Sequence, residues 1–145
     1  MSSYAHTVEV AATPSRVFAV LDDLTRTPEW LNGCTQLDKV SQPPNAVGTK
    51  LRYHYKYGRK HGVMDGSIVV REPDRRLAMS FKDKLMEVSV DFATAPQGVE
   101  SATMTHTITI NTKGFGKMLG PVVSRHLPEQ TIAAMMALKQ IVEGG

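Results

Sequence analysis

Between Cys34 and Thr112 the apolar residues of this chain recur at every second position, and beyond Thr112 they recur at every third and fourth. A period of two sends successive side chains to opposite faces of an extended strand, whereas a period near 3.6 lines them along one side of a helix. The chain therefore reads as a long sheet-forming stretch followed by one helical tail. A sheet with one apolar face requires a cover. Gly114–Gly145 is the only long helix-patterned segment that can supply it.

Six strands are expected in the sheet-forming stretch: Thr35–Ser41, Lys50–Tyr57, Lys60–Arg71, Arg76–Phe81, Met86–Ala95 and Ala102–Asn111. Pro43-Pro44-Asn45, Gly48, Gly58, Glu72-Pro73-Asp74, Lys82-Asp83 and Ala95-Pro96-Gln97-Gly98 separate them with turn chemistry. Such short connections join antiparallel neighbours. Asp65-Gly66 marks either a bulge or a second turn, and the pattern does not distinguish them.

Alternation assigns the faces. Ala102, Met104, His106, Ile108 and Ile110 oppose a row of threonines and point inward. Leu51, Tyr53, Tyr55 and Tyr57 do the same against Arg52, His54 and Lys56, as do Leu77, Met79 and Phe81, and then Met86, Val88, Val90 and Phe92. In the Lys60–Arg71 run both faces carry apolar residues, and the set Met64, Ile68 and Val70 is favoured inward over Val63 and Val69.

Ahead of the sheet-forming stretch, Tyr4–Val10 reads as a strand. Thr13 and Pro14 then suit the cap and first position of a short helix, Pro14–Leu21. A second helical start follows at Thr27-Pro28, with a stop at Asn32-Gly33. In the tail, Phe115, Met118, Leu119, Val122 and His126 form one stripe, and Leu127, Thr131, Ala134, Met135, Leu138, Ile141 and Val142 another. Pro121 and Pro128 interrupt the run, so a bent or two-part helix is expected, its first half a mobile gate and Pro128–Val142 the anchored part.

The 145 residues are expected to form a single domain, 1–145. A formal charge of +3 is mildly basic, and the lone Cys34 has no disulfide partner within the chain. The N-terminus lacks a charged-then-apolar leader, which makes the cytoplasm the expected location. The longest apolar run, Ile132–Leu138, is far shorter than the ~20 residues of a membrane span. The cluster Arg52–His61 interleaves tyrosines with cations, as single-strand binders do. Alternation puts tyrosines and cations on opposite faces, however, so no nucleic-acid partner is expected. His126 and Glu129 fall short of the ligands a metal requires, and neither a metal nor another cofactor is expected.

Particular segments resemble the START-like superfamily, also labelled SRPBCC or polyketide cyclase/dehydrase. Val8-Glu9-Val10 with Ala12-Thr13-Pro14 and Val17-Phe18 is similar to its opening strand and helix, and Asp23-Leu24 with Pro28-Glu29-Trp30-Leu31 to its "D…PEW" segment. Val47-Gly48-Thr49-Lys50 resembles the "GT+" strand start, and Glu72-Pro73-Asp74-Arg75-Arg76-Leu77 the "PP+RL" turn, with Asp74 in place of the second proline. Leu138-Lys139 sits where members often carry Leu-Lys, whereas Glu100-Ser101-Ala102-Thr103 departs from the family's usual Gly-Thr. The resemblance implies an α+β helix-grip fold: a curved antiparallel sheet of about seven strands wrapped around the long C-terminal helix, with two short helices after the first strand.

It also implies an elongated apolar pocket between sheet and helix. Its expected ligand-binding residues are Trp30 from the second short helix, Leu51, Tyr53, Tyr55, Met64, Met79, Phe81, Met104 and His106 from the sheet, and Phe115, Met118, Leu119, Val122 and His126 from the tail. Met86 would line or flank it. A methionine and aromatic set of this kind is equally what a plain core contains. His106, between Met104 and Ile108, needs a hydrogen-bond partner once buried, and Tyr53 or Tyr55 is the expected donor. His106 is then either a satisfied core histidine or a ligand-orienting or acid–base group.

Binding or transport of a small hydrophobic ligand (lipid, polyketide or aromatic metabolite) is the favoured reading. A cyclase or dehydratase using His106, Tyr53 or Tyr55 is the alternative, and a homodimer is a third. The carrier reading calls for a cavity of drug-sized dimensions, roughly 300 Å³ or more.

Overall fold

A computed structural model describes residues 2–144 apart from Asn32 and Gly58, and excludes the side chains of Tyr57, Lys60 and Leu119. The predicted stop at Asn32, the inward placement of Tyr57 and the tail contribution of Leu119 thus fall outside the described residues. The elements are β1 (Ser2–Val10), α1 (Pro14–Asp22), a 3₁₀ segment (Leu24–Glu29), β2 (Cys34–Lys39), β3 (Lys50–Tyr57), β4 (Lys60–Glu72), β5 (Arg76–Lys82), β6 (Met86–Gly98), β7 (Ser101–Thr112), a second 3₁₀ segment (Gly114–Leu119) and α2 (Gly120–Gly144).

All seven strands join one antiparallel sheet in the order β1-β7-β6-β5-β4-β3-β2. From β2 to β7 each strand pairs with its neighbour in sequence, and β1 crosses over to pair with β7, Ser2 opposite Ile110 and Val10 opposite Ala102. The sheet is curved, as in the helix-grip fold, and α2 lies against β1 and β7.

Local chemistry explains the boundaries. The Thr13 hydroxyl accepts from the Arg16 amide at 3.2 Å and Pro14 opens α1. The second helical start is a 3₁₀ segment and begins at Leu24, earlier than the proline suggests. Gly48 sits at φ +94°, and the Thr49 hydroxyl accepts from the Ala46 amide at 2.9 Å, which gives the Gly-Thr pair a structural reason to open β3. Asp74 adopts φ +64°, a conformation that a proline ring forbids. The register of β4 shifts at Val69, between Ile68 and Val70, and not at Asp65-Gly66.

The inward faces follow the alternation, except that Val70, beyond the β4 bulge, is half-buried and that Ala78, on the face opposite Leu77 and Met79, is buried as well. Met64 and Ile68 are buried while Val63 and Val69 are exposed, and Leu77, Phe81, Val88, Val90, Phe92, Ala102, Met104 and Ile110 join them in the core. Leu127, Thr131, Ala134, Met135, Leu138 and Val142 bury one side of α2 against this face. The end of α2 is pinned to β1 and its exit: Lys139 Nζ donates to the Glu9 carbonyl at 2.7 Å and the Ala11 amide donates to Glu143 Oε2 at 2.8 Å.

The tail is two-part, but its joint lies elsewhere than expected. The 3₁₀ segment meets α2 at Leu119–Gly120, Pro121 occupies the first turn of α2, and the helix continues through Pro128. The stripe Phe115, Met118, Val122 and His126 does not face inward. All four side chains are exposed, Phe115 at 87% and Met118 at 81%. In α2 the buried side runs back from Leu127 to the partly buried Val123, which turns Val122 and His126 outward, and in the 3₁₀ segment Gly116 brings the backbone against the β5–β6 turn: a Cβ there would lie 1.9 Å from the Leu85 carbonyl oxygen.

Candidate functional site

A cavity lies between the concave face of β2–β7, the Leu24–Glu29 segment with Trp30, and the second turn of α2 onward. Trp30, Tyr53, Tyr55, Met64, Met79, Phe81 and His106 line it, as the inward pattern predicts. So do Thr27, Leu31, Leu37, Met86, Val88, Val90, Phe92, Ile108, Ile110, Leu127, Gln130 and Thr131. Leu51 and Met104, expected at the site, are buried core residues that do not reach it, and Phe115, Met118, Val122 and His126 are absent from its wall.

The residues missed were legible in part. Val88, Val90, Phe92, Ile108 and Ile110 belong to the inward sets already read from alternation, but their contact with empty space instead of with one another depends on how the sheet curves. Thr27, Gln130 and Thr131 carry no pattern that separates them from ordinary helix residues.

The walls are almost wholly apolar, and the water-accessible space they enclose is about 70 Å³. That holds a few water molecules. It is smaller than the space the carrier reading calls for, so as it stands the cavity counts against a drug-sized ligand.

Two polar side chains in this wall have no hydrogen-bond partner among the described residues. The His106 ring is 1% exposed with both Nδ1 and Nε2 unpartnered, and Trp30 is 4% exposed with Nε1 unpartnered. Phe92 separates them. It stacks on His106 at a centroid distance of 4.2 Å and a 19° interplanar angle, and meets Trp30 edge-on at 5.4 Å and 88°. Buried polar groups are ordinarily hydrogen-bonded, and each unsatisfied one costs about 1–3 kcal/mol.

The expected tyrosine partners are engaged elsewhere. Tyr55 Oη donates to Asp83 Oδ2 at 2.8 Å, and the other oxygen of Asp83 accepts from the Leu85 and Met86 amides at 2.8 and 2.9 Å. The Tyr55 ring lies over Gly62, where a Cβ would come within 2.3 Å of it. Tyr53 hydrogen-bonds the Cys34 thiol, which burial pushes up to about 11 despite that bond. Cys34 is therefore a protonated, unreactive thiol at neutral pH.

Burial lowers His106 to about 4, opposed only in part by the Asp91 carboxylate. At neutral pH the imidazole is uncharged and offers one donor and one acceptor. Trp30 adds one donor. The site thus presents a greasy chamber with two donors and one acceptor at a single aromatic cluster. Among the described residues no group of three His, Cys, Asp or Glu side chains is arranged to hold a metal ion, and no helix is long and apolar enough to cross a membrane.

Comparison with known proteins gives the fold a context. The family model described as polyketide cyclase/dehydrase and lipid transport matches residues 1–143. A START superfamily protein from Mycobacterium smegmatis superposes with a TM-score of 0.81 at 18% identity, covering 99% of each chain. The Zhui aromatase/cyclase from Streptomyces sp. R1128 gives 0.74 at 16% identity over 97% of this chain and 94% of its own. A norcoclaurine synthase point mutant from Thalictrum flavum, in complex with a transition-state analogue, gives 0.69 at 18% over 97% and 93%. No curated protein matches the sequence.

Proposed function

The chain belongs to the polyketide cyclase/dehydrase and lipid-transport family, and on that premise we propose that its cavity takes up a small, mainly apolar molecule carrying one hydroxyl or carbonyl group, held by His106 and Trp30. Family and fold support a ligand-binding or cyclase role. The observation that carries the finer reading is the unpartnered His106 ring in an apolar wall. A ligand oxygen would satisfy buried groups that the protein leaves open, and transfer of the ligand's apolar surface out of water would supply the affinity.

Binding is favoured over proton-transfer catalysis. An imidazole lowered to about 4 is a weak base at neutral pH, and the Tyr55 hydroxyl is committed to Asp83.

Uptake requires the closed chamber to widen. The flexible thioethers of Met64, Met79 and Met86 can repack around an irregular guest, and the segment Gly114–His126, most of whose side chains are exposed, adjoins the cavity-lining Leu127 and is the part that can move aside to admit it. The test is titration of the protein with 2-naphthol and with naphthalene. Preference for 2-naphthol of about tenfold or more, abolished in His106→Leu, supports the reading. Equal affinity for both compounds, or an unchanged preference in His106→Leu, overturns it.

A further inference from the structure

Phe115, Met118 and Val122 are exposed together at the entrance of the tail. Phe115 and Met118, three apart in the 3₁₀ segment, lie on one side of it, and Val122 follows in the first turn of α2. None of the three lines the cavity. Contiguous exposed apolar side chains of this size mark a contact surface.

The charges around them have one sign. From Lys113 to His126 the chain contains Lys117 and Arg125 and no carboxylate, and Lys84 belongs to the β5–β6 turn on which Gly116 rests. Lys113 is paired with Glu87 at 3.4 Å and Asp83 is turned into its own turn and Tyr55, while Lys84, Lys117 and Arg125 have no acidic partner among the described residues. Exposed apolar side chains flanked by cations and no carboxylate complement an anionic bilayer, whose acyl region deforms around the insert while anionic headgroups meet the cations.

We propose that this corner of the molecule docks on anionic membrane surfaces, with Phe115 and Met118 inserted at the headgroup–acyl boundary and Lys84, Lys117 and Arg125 against the headgroups. Leu85 accepts from the Lys113 amide at 2.8 Å, its neighbour Met86 lines the cavity, and Leu127 does so one turn beyond Val122. Docking there brings the end of the apolar chamber to the lipid phase.

The experiment is sedimentation of the whole protein with vesicles of phosphatidylcholine alone and of phosphatidylcholine with about one-third phosphatidylglycerol. The expected result is binding to the anionic vesicles that weakens with added salt, falls about tenfold or more in Phe115→Ser/Met118→Ser, and falls also in Lys117→Gln/Arg125→Gln. All four positions are exposed, and thermal melts of the variants establish that they fold. Absence of binding to either vesicle, binding undiminished in both variants, or a concentration-dependent dimer abolished by Phe115→Ser/Met118→Ser would overturn it, the last result assigning the patch to a second copy of the chain. Vesicle binding does not depend on His106, so its outcome is separate from that of the naphthol titration.

Discussion

The His106 imidazole lies flat on the Phe92 ring, 4.2 Å between centroids, with both of its nitrogens turned to no partner among the described residues. Stacking holds the ring in place, and burial holds it neutral. Folding thus keeps a costly group at the cavity wall that an apolar residue of the same shape would replace at a gain.

That gain is measurable. His106→Phe keeps the stacking surface and removes two buried nitrogens, so the variant is expected to be more stable than the parent by about 1–3 kcal/mol, read as a higher midpoint in urea with an unchanged slope. An equal or lower midpoint would indicate that the nitrogens are satisfied in solution.

The same ring sets an acid sensitivity. His106 titrates near 6.5 when unfolded and at about 4 when folded, so between these values the unfolded chain binds more protons and stability rises with pH. Its contribution is complete above about pH 6.5 and is lost as pH falls toward 4. The His106→Phe variant is expected to show a flatter stability profile across that window, measured by denaturant titration at a series of pH values.

Gly62 and Tyr55 form a second test. A methyl group at residue 62 would strike the Tyr55 ring, so Gly62→Ala is expected to cost about 1–3 kcal/mol by overpacking. Tyr55→Phe removes the hydroxyl that bonds Asp83 and is expected to cost about 1 kcal/mol. If Gly62→Ala acts by displacing Tyr55 from Asp83, the double variant will lose less than the sum, which a double-mutant cycle reads directly.

The tail should exchange in two phases. Amides of Gly114–His126, whose outer side chains are exposed, are expected to exchange faster than those of Pro128–Val142, which buries Leu127's successors along β1 and β7. Gly116→Ala would force the segment off the Leu85 carbonyl and speed the first phase alone. Uniform protection across both halves would remove the segment as a gate.

The fold was legible wherever one physical rule acted alone. Strict alternation in Ala102–Asn111 assigned the buried side of β7 including His106, and Thr13-Pro14 marked the start of α1. The site was legible only as far as the inward faces went. Trp30, Tyr53, Tyr55, Met64, Met79, Phe81 and His106 reach the cavity, but Leu51 and Met104 point the same way and do not, because sheet curvature decides which inward residues meet empty space. The tail misled because helical spacing alone does not fix which side is buried: α2 packs Val123 and Leu127 inward, which leaves Val122 and His126 outside, and Phe115 and Met118 lie in a separate 3₁₀ segment.

The pairing of β1 with β7 carries a consequence for how the chain is made. Ser2 meets Ile110 and Val10 meets Ala102, so β1 leaves the ribosome long before the partner it pairs with. At roughly 5–20 residues per second, the wait is on the order of 5–20 s, during which Tyr4 and Val8 have no β7 to lie beside. The polar Ser3, Thr7 and Glu9 on the other face of β1 keep that waiting strand from being apolar on both sides. Completion of the sheet thus falls late in synthesis, and its apolar face stays open until α2 follows to cover it.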